Sequence, residues 1–142
     1  MESNEVMDMV KDNESIIERY QRLTMNTAVY PEAGLQTERE LNYLIMGMIG
    51  EAGEIANKFK KFLRNNLVTF QPKFGDGSGK YESVRIQLTT NEIKILTDEM
   101  GDVLWYFARI CSILGVRIEE VAMDNYFKLN ARKDKGELKD HK

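Results

Sequence analysis

Leu41-Asn-Tyr-Leu-Ile-Met-Gly-Met-Ile-Gly-Glu-Ala-Gly-Glu-Ile-Ala-Asn-Lys-Phe-Lys-Lys-Phe-Leu-Arg64 is the stretch that decides the fold. Leu41, Leu44, Ile45, Met48, Ala52, Ile55, Phe59 and Phe62 recur at three- and four-residue spacing, which places them on one apolar face of an α-helix. Thr37-x-x-Glu40 has the form of a capping box, so the helix should begin there and run to about Arg64, roughly seven turns. On the margin of its stripe sit Glu51 and Glu54, three residues apart and so on nearly one face.

The same combination recurs downstream. A second box, Thr89-x-x-Glu92, opens a helix with Ile93, Leu96, Met100, Val103, Phe107, Ile110 and Leu114 on its stripe and Gly115 placed to end it. This helix carries the second acidic pair, Glu99-x-x-Asp102. Flanking helices are expected from about Asn13 to Val29, broken by Tyr30-Pro31-Glu-Ala-Gly34, and from about Ile118 to Arg132. Residues 65–88 read as an excursion, a loop or small β-hairpin around Gly75-Asp-Gly-Ser-Gly79. Those glycines lack the Gly-Lys-Ser/Thr ending of a phosphate loop and read as a turn.

The expected fold is therefore all-α: a bundle of four to five helices with a long central helix. It forms one domain over residues 1–142, with a core at 37–132, an insertion at 65–88 and a charged tail at 133–142. Helices this long exceed what a compact monomer buries, so the bundle is expected to be completed by oligomerisation.

Composition narrows the function. A net charge of −3 gives no electrostatic reason to expect nucleic acid or a membrane surface as partner. No apolar run approaches 18 residues and the first residues are acidic, so a cytoplasmic protein is expected. The single cysteine, Cys111, falls in an apolar run and reads as a buried small hydrophobe. The one histidine, His141, is the penultimate residue, which removes most histidine-based catalysis.

The two acidic pairs admit two readings. Carboxylates at the edge of a buried stripe repel one another and resist desolvation, and a hard divalent cation relieves both penalties. The alternative is a solvated acidic face, and spacing alone weighs the two about equally. Gly47, Gly50, Gly53 and Gly101 surround the pairs, and helical glycines suggest that backbone or ligand approaches closely. Lys58 and Lys61 continue the face beyond Glu54, where a polyphosphate held by the cation would reach. A plain Glu54–Lys58 surface pair is the alternative for Lys58. Asn125, Lys128 and Arg132 share one face of the last helix, and the asparagine there needs a hydrogen-bond partner.

Three blocks then resemble a known family. Gly50-Glu-Ala-Gly-Glu-Ile-Ala-Asn-Lys-Phe-Lys-Lys-Phe-Leu-Arg64, Asp98-Glu-Met-Gly-Asp-Val-Leu-Trp-Tyr-Phe-Ala108, and Leu114-Gly-Val-Arg-Ile-Glu-Glu-Val-Ala122 followed by Asn125-x-x-Lys-Leu-x-x-Arg132 look like the MazG-type nucleotide pyrophosphohydrolases of the all-α NTP pyrophosphatase superfamily. They arrive in the family's order, and Thr27-Ala-Val-Tyr-Pro31 is similar to a segment of small single-domain members. The resemblance implies Mg²⁺-dependent cleavage between the α- and β-phosphates of a nucleoside triphosphate, with Mn²⁺ as an alternative ion. It implies Glu51, Glu54, Glu99 and Asp102 as metal ligands and Asp98 as a candidate to orient the attacking water. Lys58, Lys61, Lys128 and Arg132 become candidate phosphate contacts, and Asn125 and Tyr106 candidate contacts to sugar or base. A homodimer or homotetramer is implied as well. Two features depart from the pattern: the 44 residues between Glu54 and Glu99, and Gly47 where some relatives carry a lysine. The alternatives are a sister reaction on dUTP or phosphoribosyl-ATP, or a non-catalytic helical dimerisation module.

Overall fold

The computed structural model describes the backbone of residues 14–65, 69–74 and 81–137, and the side chains of 14–65 and 87–137. Four α-helices dominate the described residues: α1 (Ile16–Leu23), α2 (Glu38–Arg64), α3 (Thr90–Ile113) and α4 (Ile118–Asp134). The fold is all-α. Between α2 and α3, strands β1 (Thr69–Phe74) and β2 (Tyr81–Gln87) pair antiparallel, from Thr69 opposite Gln87 to Phe74 opposite Tyr81, with an irregularity at Lys73/Phe74. The excursion is thus a hairpin, and its glycine-rich tip lies outside the described residues, as do His141 and the second half of the charged tail.

Helix ends follow the local chemistry. Ser15 caps α1 with a complete box: its hydroxyl accepts from the Glu18 amide while the Glu18 carboxylate accepts from the Ser15 amide. The helix is shorter than the expected Asn13–Val29, because after Leu23 the chain tightens into a 3₁₀ turn at Thr24–Thr27. There the Thr24 and Thr27 hydroxyls donate back to the Gln21 and Thr24 carbonyls and compete with continued α-helix. At the start of α3 the Thr89 box closes as expected, with Glu92 on the Thr89 amide at 2.6 Å. Gly115 ends α3 at φ 68°, and the Val116 amide reaches the Cys111 carbonyl, the bond pattern of a Schellman motif.

The chain divides into two compact units, Met1–Ile45 with Trp105–Lys142, and Met46–Leu104. In the first, Ala108, Cys111 and Ile118 form a buried cluster against which Ile17, Tyr20, Phe107, Val116 and Val121 pack. Cys111 is a core hydrophobe, as expected. A polar centre accompanies this cluster. Glu40, fully buried, accepts from the Tyr30 hydroxyl (2.7 Å) and the Gly34 and Gln36 amides (2.7 and 2.8 Å), with the Arg109 guanidinium at 3.8 Å. The Thr37 box is therefore only half made. Thr37 caps the Glu40 amide, but the Glu40 carboxylate turns to the preceding loop. That loop is strained, with Glu32 and Gln36 at φ 65° and 56°. Gly34 lies at φ 81°, and a Cβ there would meet the Met25 methyl at 2.9 Å.

In the second unit Phe62 is buried, and a contact between Lys58 and Glu99 joins α2 to α3. Much of the expected α2 stripe is not covered. Of its eight residues only Leu44 and Phe62 are buried, and Ile45 and Ala52 are exposed. Met46, Ile49, Met100 and Leu104, which belong to this unit, are exposed as well. The apolar periodicity correctly marks helices, but among the described residues much of the stripe is not buried.

Candidate metal centre

The second unit brings the two acidic pairs together. One oxygen from each of Glu51, Glu99 and Asp102 lies within 4.8 Å of the others. The helix pitch makes this possible: Glu99 and Asp102 leave α3 one turn apart, and Glu51 comes from α2. Glu99 is the most enclosed, with its side chain 12% exposed. Glu51 is half-buried and Asp102 exposed, which leaves the group open on one side. Glu54 is exposed and outside that close trio, but it contributes to the field. Burial, then Asp102, Glu99 and Glu54, push the Glu51 carboxyl above the ordinary carboxylate range, and Lys58 only partly offsets them.

Among the described residues one close cation stands against this group. The Lys58 ammonium donates to Glu99 Oε1, so its partner is a carboxylate of the other helix and not Glu54, one turn back. The contact with Glu99 pushes the lysine up. Charge balance remains negative: three clustered carboxylates and Glu54 face one ammonium. Oxygen-only donors in that number and at that separation suit a hard divalent cation, and the ammonium marks where positive charge is already favourable. The residues present fit such an ion.

Of the two reasons expected for the glycines, close approach of the chain's own residues is not seen among the described residues at three of the four. A Cβ at Gly50, Gly53 or Gly101 would meet nothing within 4 Å. No described part of this chain needs the glycine there, and the space beside the carboxylates is open to something else.

A family model described as a MazG nucleotide pyrophosphohydrolase domain matches residues 39–136. The chain belongs to the MazG family. With it comes membership of the all-α NTP pyrophosphatase superfamily. The gene 37 protein of Mycobacterium phage L5 is 38% identical over 121 residues, covering 84% of this chain and 90% of that protein. No described helix is long and apolar enough to cross a membrane.

The remaining candidates of the MazG domain are distributed unevenly. Asp98 pairs with Lys94 one turn back on the exposed side of α3. Lys61 is exposed on α2. In the first unit, Asn125 and Lys128 line a cleft of about 540 Å³ with Phe107, Val121, Ala122 and Asp124. Arg132, one turn on, is exposed, and Tyr106 sets its ring edge-on to Trp105 at 5.1 Å. Two groups escaped the sequence reading. One is the Glu40–Tyr30–Arg109 centre, which a lone arginine inside the apolar run Phe107–Leu114 could have signalled. The other is the Trp105 Nε1–H bond to the Thr27 hydroxyl at 2.7 Å, which periodicity does not encode.

Proposed function

We propose that this MazG-family chain hydrolyses nucleoside triphosphates between the α- and β-phosphates, releasing a nucleoside monophosphate and pyrophosphate, with Mg²⁺ or Mn²⁺ as cofactor. The observation that carries the reading is the convergence of Glu51, Glu99 and Asp102 oxygens within 4.8 Å. Such a group without a cation loses stability through like-charge repulsion, and retaining it makes sense for an ion-binding role. Glu51, Glu99 and Asp102 would hold the ion, with Glu54 as fourth ligand. When bound, the ion neutralises phosphate charge and lowers the pKa of a water it coordinates. Lys58 and Lys61, one and two turns beyond Glu54, would bind phosphoryl oxygens and stabilise the charge that builds on the pyrophosphate. Lys128, Arg132 and Asn125 are assigned to the rest of the nucleotide. Asp98, committed to Lys94, is the weakest of the assigned residues.

A second copy of the chain would cover Met46, Ile49, Met100 and Leu104, which are exposed in the second unit. A homodimer or homotetramer is therefore part of the reading, and light scattering on the purified protein reports it. The decisive experiment measures products over a panel of canonical nucleotides, dUTP and phosphoribosyl-ATP, with and without Mg²⁺. Mg²⁺-dependent pyrophosphate is expected. Release of single phosphates, or no turnover across the panel, would sink the proposal.

A further inference from the structure

The Lys58–Glu99 contact has a consequence for the order of binding, one that rests on the metal centre proposed above. We infer that Lys58 and the divalent cation are alternative partners of Glu99, so that cation binding moves the ammonium off Glu99 and frees it for the phosphates of the nucleotide.

The placement of the two groups supports this. Lys58 comes from α2 and Glu99 from α3, 41 residues apart in sequence, so their contact is built by the fold and is not a by-product of helical spacing. Glu99 is at once the lysine's partner and a member of the trio. A carboxylate has two oxygens and could in principle serve both cations. Here the second cation would be divalent and close to an ammonium in a site whose central carboxylate is 12% exposed, where water screens little. Repulsion then favours one occupant at a time. The lysine can leave. Its side chain is 32% exposed, and a flexible four-carbon stem carries a compact charge with three donors, suited to accepting phosphate from several directions. Glu99 cannot leave, since it is enclosed.

Two properties follow. Without nucleotide, Lys58 competes with the cation, so metal affinity is set below what the carboxylates alone would give. With metal bound, the displaced ammonium is a preformed phosphate contact, so cation and nucleotide assist each other's binding.

Amine acetylation of the wild-type protein, read residue by residue by mass spectrometry, tests the exchange, with Mg²⁺ alone as the probe and calorimetry run in parallel. Lys58 should acetylate at least about threefold faster at saturating Mg²⁺ than in chelator, while the exposed Lys60 changes little. Lys58→Gln should bind Mg²⁺ about tenfold more tightly than wild type. If Mg²⁺ binds but neither Lys58 reactivity nor the Lys58→Gln affinity changes, the exchange is overturned and the metal centre stands. If calorimetry detects no Mg²⁺ binding, the metal centre itself fails and takes the exchange with it.

Discussion

Two sets of carboxylates in this molecule face opposite circumstances. Glu40 in the first unit is fully buried, yet it accepts from Tyr30, Gly34 and Gln36 and has Arg109 at 3.8 Å. Glu51, Glu99 and Asp102 in the second unit are on the whole less buried, yet they face one another, with Lys58 as the close cation. Burial alone would raise the Glu40 pKa. The donors outweigh it and hold that carboxyl below its ordinary range, whereas burial and like charges leave Glu51 above its own. What separates structure from chemistry here is the ratio of donors to acceptors, not the depth of the acid. A carboxylate whose bonds are complete fixes a loop. A group short of positive charge is poised to take a cation.

The largest effect should come from the under-neutralised set. Glu99→Gln should lower pyrophosphate release by on the order of a hundredfold or more, since several kcal/mol of charge stabilisation go with the metal. Its melting temperature in chelator should stay close to that of wild type, because the relief of one repelling charge offsets the loss of the Lys58 contact. A variant that lost activity only by unfolding would erase the contrast.

Glu40→Ala should do the reverse. Removing one member of a buried charged centre costs about 3 kcal/mol, which lowers Tm by roughly 10 °C in a domain of this size. The Tyr30 hydroxyl and the Gly34 and Gln36 amides lose their acceptor, Arg109 loses its nearby counter-charge, and the strained loop from Glu32 to Gln36 loses its anchor. Mg²⁺ affinity below the melt should not change. If it falls severalfold without a loss of stability, Glu40 belongs with the other set.

Acid should separate Glu40 from Glu51 by sign. Glu40 has a depressed folded pKa, so its contribution is present above the unfolded value and is lost as pH falls through the folded one. Glu51 has a raised folded pKa, so its charge destabilises at neutral pH and that penalty lifts as the group protonates. Melts in chelator across this range should therefore show a shallower acid decline for Glu40→Gln than for wild type, and a steeper one for Glu51→Gln. Glu18 and Glu120, held low by Arg117, titrate in the same direction as Glu40 but are common to all three proteins. Parallel curves would mean that neither carboxyl is perturbed as described.

Helix periodicity and capping boxes made the helices and the acidic pairs legible from sequence, because both are local. Thr89-x-x-Glu92 closed as written. Thr37-x-x-Glu40 did not, because Glu40 found better donors in a loop whose fold no i, i+3 rule describes. Lys58 illustrates the same limit: local spacing pairs it with Glu54, and the tertiary fold gives it Glu99. The open surroundings of Gly50, Gly53 and Gly101 were equally illegible, since a glycine in sequence does not reveal which neighbour is near.

Smaller effects fall to residues that join neither set. Lys128 lines the cleft in the first unit with Asn125, and Lys128→Ala should raise KM about fivefold, roughly 1 kcal/mol, with kcat less affected. That outcome would make the cleft a place of uniform binding, distinct from the carboxylates whose loss falls on kcat.

Trp105→Phe should be the mildest change and the most diagnostic of how the polar centre around Glu40 is held. The indole packs edge-on to Tyr30 at 6.0 Å, and its N–H donates to the Thr27 hydroxyl. Phenylalanine keeps an aromatic edge but loses the bond, a loss of about 1 kcal/mol. Tyr30 itself has three other ties, its stack on Tyr43, its hydroxyl's bond to Glu40 and the Arg109 Nε–H that the same hydroxyl accepts, so the centre should survive. The melt should drop by a few degrees with the acid dependence of wild type retained. A drop as large as that of Glu40→Ala would mean that the aromatic packing, not the carboxylate, organises the loop, and that Glu40 only completes what Trp105 and Tyr30 have already fixed.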